Sequence, residues 1–171
     1  MITPRVRRNI MRRLARKFDM RIVFDKTLEK DTEAACSVED REITLNPKVL
    51  TKHVSKGRFI SAILHEAAHQ FCYDTGVFKV FHSPRALEDM TIKELKTYIA
   101  TAWRAERFVE VTARRWMEVM FPGITYWDVY GSRGSGSVWV RTVYTAEARQ
   151  VLRRKQLRAI DKEKRNEREN G

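Results

Sequence analysis

One segment constrains this chain more than any other. Residues 56–73 place Ile60, Ile63, Leu64, Ala67 and Phe71 at helical spacing, with Ala62, His65, His69 and Cys72 along a second line. A helix with an apolar face has to be covered by other elements. Gly76, just past its end, supplies the stop. Inside it the sequence reads His65-Glu66-Ala67-Ala68-His69. Four residues advance a helix by about 400°, so both imidazoles project from one face, roughly 6 Å apart at their bases.

That spacing lets both rings reach one tetrahedral cation. Zinc suits imidazole and carboxylate ligands and needs no redox partner. Glu66, one position on, can flank the ion without ligating it and take a proton from a metal-bound water. The competing reading is a helix with two exposed His and an incidental Glu. The apolar mid-helix setting and the small Ala67 and Ala68 weigh against it.

A catalytic site of this kind needs a third protein ligand and an open fourth position. Residues 91–120 read as a long helix ended by Pro122-Gly123. In it Glu106 and Glu110 border an apolar stripe of Ala102, Ala105, Val109, Ala113, Trp116 and Met120. Two carboxylates at i, i+4 repel, and near a core face they need compensation. A dication supplies it, with one carboxylate as ligand and the other accepting a ring N–H from a ligating His. Alternatively both pair with Arg104, Arg107 or Arg114. His82 is a rival third ligand, thirteen residues beyond His69 in Phe81-His82-Ser83-Pro84. Otherwise it is a loop His near the cleft, where it, Tyr98, Tyr126 or Tyr130 is a candidate for stabilising an oxyanion. Cys72 reads as a small buried hydrophobe, not a ligand.

The remaining elements are shorter. Residues 5–18 carry Val6, Ile10, Met11, Leu14 and Phe18 on one helical face, with Arg on the other. Residues 20–25, 34–38 and 42–46 alternate as strands, and the link 39–41 reads as a hairpin. By its own pattern the strand at 42–46 is an ordinary sheet strand. Residues 124–144 read as β-rich, with a flexible loop at 131–136 and a strand at 138–144. A last helix starts near Thr145 and frays beyond Ile160, where nearly every residue is charged.

The motif segments resemble a zincin metallopeptidase of the gluzincin kind, closest to the ImmA/IrrE-like group common in phages and mobile elements. Such proteins share the order of N-terminal helix, short sheet, HExxH helix and a helix with the pattern E-x-x-A-[DE]-x-x-A. Here that pattern is Glu106-Arg-Phe-Val-Glu110-Val-Thr-Ala113, with Val109 replacing the usual Ala. The resemblance covers residues 20–120 and implies that the strand at 42–46 is an edge strand that pairs with an extended substrate. It implies an α+β zincin-like fold with a small antiparallel sheet, Glu106 as the third zinc ligand and Glu110 as its acidic neighbour. The function implied is zinc-dependent peptide-bond hydrolysis, with Zn2+ on His65, His69 and Glu106 and Glu66 as general base. The second resemblance is to SprT-like proteases, in which a third His follows the HExxH helix and the substrates are DNA-bound proteins. That group usually has Gly after the His, whereas Ser83 follows His82.

Composition sets the remaining bounds. The chain has 171 residues, 43% hydrophobic, enough for a core. The two cysteines give no disulfide framework. No apolar run is long enough for a membrane span, and no secretory signal is evident, so a cytoplasmic location is expected, in the bacterial host if phage-encoded. The domain expected is 1–148, with 149–171 a basic helical tail. The net charge is +12. Residues 1–30 hold ten Lys/Arg against three Asp/Glu, and 149–171 hold nine against four, whereas 31–148 are balanced. The basic ends fit a tether to nucleic acid or an acidic partner on a domain whose substrate is a protein or peptide. They equally fit plain solvated helices, or a DNA-binding regulatory module with a structural or vestigial metal site.

Overall fold

The computed structural model describes residues 3–28, 32–50, 54–77, 86–124 and 146–169. Helix α1 (Pro4–Phe18) leads into strands β1 (Arg21–Phe24), β2 (Ala34–Ser37) and β3 (Glu42–Leu45). A 3-10 turn at Pro47–Leu50 precedes helix α2 (Lys56–Thr75). Another at Leu87–Asp89 precedes helix α3 (Ile92–Met120), and helix α4 spans Ala146–Glu169. Among the described residues the architecture is α+β, with four helices and one three-stranded sheet. No helix among them is long and apolar enough to cross a membrane. The expected strand at 138–144 and loop at 131–136 lie outside the described residues.

The chain clusters into two compact units, Met1–Phe78 with Phe108–Ser135 and Lys79–Arg107 with Gly136–Gly171. The division falls inside the continuous helix α3. In the first unit, Thr3 caps α1 by accepting from the Val6 N–H at 3.3 Å. Pro4 follows, at a position where its missing N–H does no harm. Ile10 and Leu14 are buried, and Met11 and Phe18 pack beside them. Val6, the first member of the expected stripe, stays exposed.

The sheet has the order β1-β3-β2. Strand β3 pairs parallel with β1 (Ile22 opposite Ile43) and antiparallel with β2 (Cys36 opposite Ile43). The sheet is therefore mixed, not antiparallel as expected, and β3 is central, not an edge. The physical reason is visible in burial. Ile43 and Leu45 are 1% and 0% exposed, and the central place covers them from both sides. The long connection from β1 to β2 lets the β2–β3 hairpin insert β3 beside β1. Both edges of β3 being occupied, an extended substrate has no place to pair there.

The hairpin turns without glycine. Arg41 takes the left-handed conformation instead, with φ of 51°, which is unfavourable for a side chain with Cβ. Its guanidinium holds it there. Nε donates to the Asp19 carbonyl at 3.0 Å, Nη2 to the Phe18 carbonyl at 3.3 Å, and Nη1 to the Asp74 carboxylate at 3.1 and 3.2 Å. One side chain thus ties the end of α1, the hairpin and the end of α2. Gln70 Nε2 donates to the same Asp74 at 2.9 Å.

Below the sheet lies α2. Ser55 caps its start, accepting from the Arg58 N–H at 3.0 Å, and Gly76 ends it at φ of 64°. Phe59, Ile60, Ile63, Leu64, Ala67 and Ala68 join Ile43, Leu45, Val49, Val109, Ala113 and Met117 in one core. Cys72 is buried among them. Cys36 on β2 packs against this core. Burial pushes its thiol up to about 12, the nearby charges of Glu66 and Asp74 push the same way, and Arg41 opposes them.

The second unit has its own small core of Met90, Leu95, Ala148 and Val151. Thr91 and Glu94 form a reciprocal cap. The Glu94 N–H donates to Thr91 Oγ1 at 3.2 Å, and the Thr91 N–H donates to Glu94 Oε2 at 2.7 Å. Arg154 pairs with Glu88. Helix α4 runs on to Glu169, beyond the expected fraying point at Ile160. Lys, Arg and Glu are good helix formers, so charge alone does not end it.

Two expectations follow from these contacts. Arg41→Ala removes hydrogen bonds to two carbonyls and a half-exposed ion pair, and should lower unfolding stability by about 1–2 kcal/mol. Arg41→Gly loses the same bonds but relieves the backbone, so it should unfold at higher urea than Arg41→Ala. For Cys36 the folded chain keeps a proton that an unfolded thiol, at its ordinary value of 9.0, would release. Stability is therefore unaffected below pH 9 and falls as pH rises from there toward 12. Cys36→Ala should flatten that fall in denaturation curves across alkaline pH, and iodoacetamide at pH 8 should label Cys36 slowly until the protein is unfolded.

Candidate metal centre

Helix α2 presents its polar side chains from a buried setting. Glu66 is 6% exposed, His69 9% and Gln70 2%, while His65 is half-buried. The imidazoles of His65 and His69 meet edge to face, with centroids 5.0 Å apart and planes at 77°. The i, i+4 spacing has therefore done what it requires geometrically, putting both rings on one side of the helix.

On α3 the core stripe is Val109, Ala113 and Met117. Glu106 lies one turn before Val109 on that same face and is fully buried, at 0% exposure. Three donors come together: one ring nitrogen each from His65 and His69 and a carboxylate oxygen of Glu106 lie within 4.8 Å of one another. Two imidazoles and a carboxylate are a donor set that suits zinc. Burial favours it too, because a carboxylate out of water needs a positive charge or donors close by. The residues present thus fit a bound zinc ion.

Of the other residues singled out, Glu66 is on α2 next to the first imidazole, and its charge reaches Cys36 on β2. Glu110 is half-buried, one turn after Glu106. Tyr98 is half-buried on α3 and packs on the second unit's core. His82, Tyr126 and Tyr130 lie outside the described residues. The proximity of Glu66 to β2 was not readable in the sequence. Nothing in the spacing of Cys36 and Glu66 signals it, since it depends on which strand lies over which turn of α2.

The strand that does present an edge is β2. Among the described residues, nothing pairs with its side away from β3. The Asn46 N–H donates to the Glu33 carbonyl at 2.9 Å. In an antiparallel ladder this turns the main chain of residues 33, 35 and 37 toward β3, and that of 34 and 36 away.

Comparison with known proteins agrees with part of this picture. Residues 5–91 match the SprT-like family. That range holds α1, the sheet and the whole of α2, and it stops short of Glu106. The match is to the second of the two resemblances; the ImmA/IrrE-like one, which rests on the Glu106–Ala113 segment, finds no support in it. No curated protein and no solved structure matches the chain. Since the matched stretch covers more than half of the residues and contains the His65–His69 motif, the chain belongs to the SprT-like family, a group of zincin-like metallopeptidase relatives.

Proposed function

We propose that this protein is a zinc-dependent endopeptidase in which His65, His69 and Glu106 hold the metal and Glu66 is the general base. The observation that carries the reading is the convergence of three ligand-type atoms within 4.8 Å, one of them from a fully buried carboxylate. Zinc held there would polarise a scissile carbonyl and make water nucleophilic near neutral pH.

The chain's own residues do the rest. His65 and His69 are fixed by a helix capped at both ends and packed in the core, so little reorganisation is needed when a ligand binds. Glu106 balances part of the dication's charge inside the protein. Glu66 takes the proton from the attacking water and delivers it to the leaving amine. Strand β2 offers the outward main-chain groups of Ala34 and Cys36 to an extended peptide, beside the turn of α2 that carries Glu66.

A second reading keeps the reaction and changes the third ligand to His82. It is favoured by the extent of the family match, which includes His82 and excludes Glu106.

Zinc content separates the two. Purified protein should hold about one zinc per chain by plasma emission spectrometry. Glu106→Ala should lose it while His82→Ala keeps it; the reverse result assigns His82 instead. Glu66→Gln should retain the metal and lose about 10²–10⁴-fold in cleavage of an unfolded protein substrate. A protein without stoichiometric zinc, or Glu66→Gln that cleaves like wild type, overturns the proposal.

A further inference from the structure

The second feature of the first unit is a groove that the hydrolytic reading does not use. One hollow of about 440 Å³ is lined by Phe18, Phe71, Trp116, Val119 and Met120, with Lys17 and Asp74 at its margin. An adjoining one of about 570 Å³ shares Lys17, Val119 and Met120 and adds Arg13 and Arg16. Together they make one trough along α1 and the end of α3. Its floor is apolar and its α1 wall is basic.

Several observations mark it as more than a packing defect. Val119 is 80% exposed, the most of any large hydrophobic residue among those described, and Phe71 is 39% exposed. Phe71 belongs by spacing to the apolar face of α2, yet the core does not cover it. The aromatic floor is preformed: Trp116 meets Phe18 at 4.7 Å and Phe71 at 5.6 Å between centroids. The wall keeps its charge, because Arg12, Arg13, Arg16 and Lys17 are all exposed and α1 has no acid in its first turn. The one acid at the margin, Asp74, is already engaged by Arg41 and Gln70.

The trough is also separate from the metal centre. At about 100° per residue, Ala67, Gln70, Phe71 and Asp74 emerge from the side of α2 away from His65 and His69. On α3, Trp116, Val119 and Met120 lie more than two turns beyond Glu106.

We infer that this trough is a docking site for a short acidic amphipathic segment of a partner protein, its apolar side chains on Trp116, Val119 and Met120 and its carboxylates on Arg13, Arg16 and Lys17. Charge complementarity and the apolar floor together select that occupant. An apolar helix or strand alone would leave the basic wall unused. A nucleic acid would use the wall, but the most exposed residue of the floor is the aliphatic Val119, which offers a base no ring to stack on. Exposed apolar surface bordered by charge is what such segments recognise.

The test uses the full chain and a fluorescein-labelled fifteen-residue peptide of Leu, Phe and Glu patterned as an amphipathic helix. Fluorescence anisotropy should show saturable binding that weakens several-fold as salt rises from about 50 to 300 mM. Val119→Asp, and separately Arg16→Glu with Lys17→Glu, should each weaken it about tenfold or more. Both sets of positions are on exposed helix surface, so circular dichroism and zinc content should be unchanged. Three results overturn the inference. One is equal binding of a charge-matched peptide of Ser and Glu. Another is no binding of the amphipathic peptide. The third is tight binding of a single-stranded oligonucleotide that Val119→Asp leaves intact and the double charge reversal abolishes.

Discussion

Helix α2 buries eleven of its twenty residues, and three of those, Glu66, His69 and Gln70, are polar. No amphipathic surface helix is built that way; it is a helix covered on more than one side. The sheet, α1 and the far part of α3 supply apolar cover through Ile43, Leu45, Leu14 and Val109. What remains is the need to satisfy polar groups out of water. Gln70 is met by Asp74, which is itself held by Arg41. His65, His69 and Glu106 meet one another, in an arrangement that a dication would complete.

The same constraint explains the form of the sheet. Three strands of four residues each gain stability by covering their hydrophobic face. Laid over α2, they bury one face and place the central β3 where its hydrophobic residues are covered. Arg41 then fixes the hairpin in a conformation its own backbone disfavours, by bonding to α1 and α2 at once. The hairpin, α1 and α2 are therefore fastened at one end, while the imidazoles lie further back along α2.

The two faces of α2 are chemically distinct. One carries the imidazoles; the other contributes Phe71 and Asp74 to the apolar and basic trough. The division also gives the uneven charge of the chain a location. The N-terminal excess of Lys and Arg is concentrated on α1, beside an apolar floor and not beside the two imidazoles. The basic α4 belongs to the other unit.

Local pattern was enough to find α1, α2 and α3, because each carries an apolar stripe at helical spacing and a chemical signal at its end: Pro4, Gly76 and Pro122-Gly123. It was enough to nominate His65, Glu66, His69 and Glu106, because an i, i+4 pair and a carboxylate on a core face are properties of single helices. Strand order was not legible. A period of two says which residues of β3 are buried but not whether β3 lies at the edge or in the middle, since that is decided by which neighbours come to cover Ile43 and Leu45. Nor could sequence show that Glu106 approaches the two imidazoles, that the charge of Glu66 reaches Cys36, or that Phe71 is left out of the core. Each of these depends on how one helix is rotated against another, and that rotation is set by packing between segments far apart in the chain.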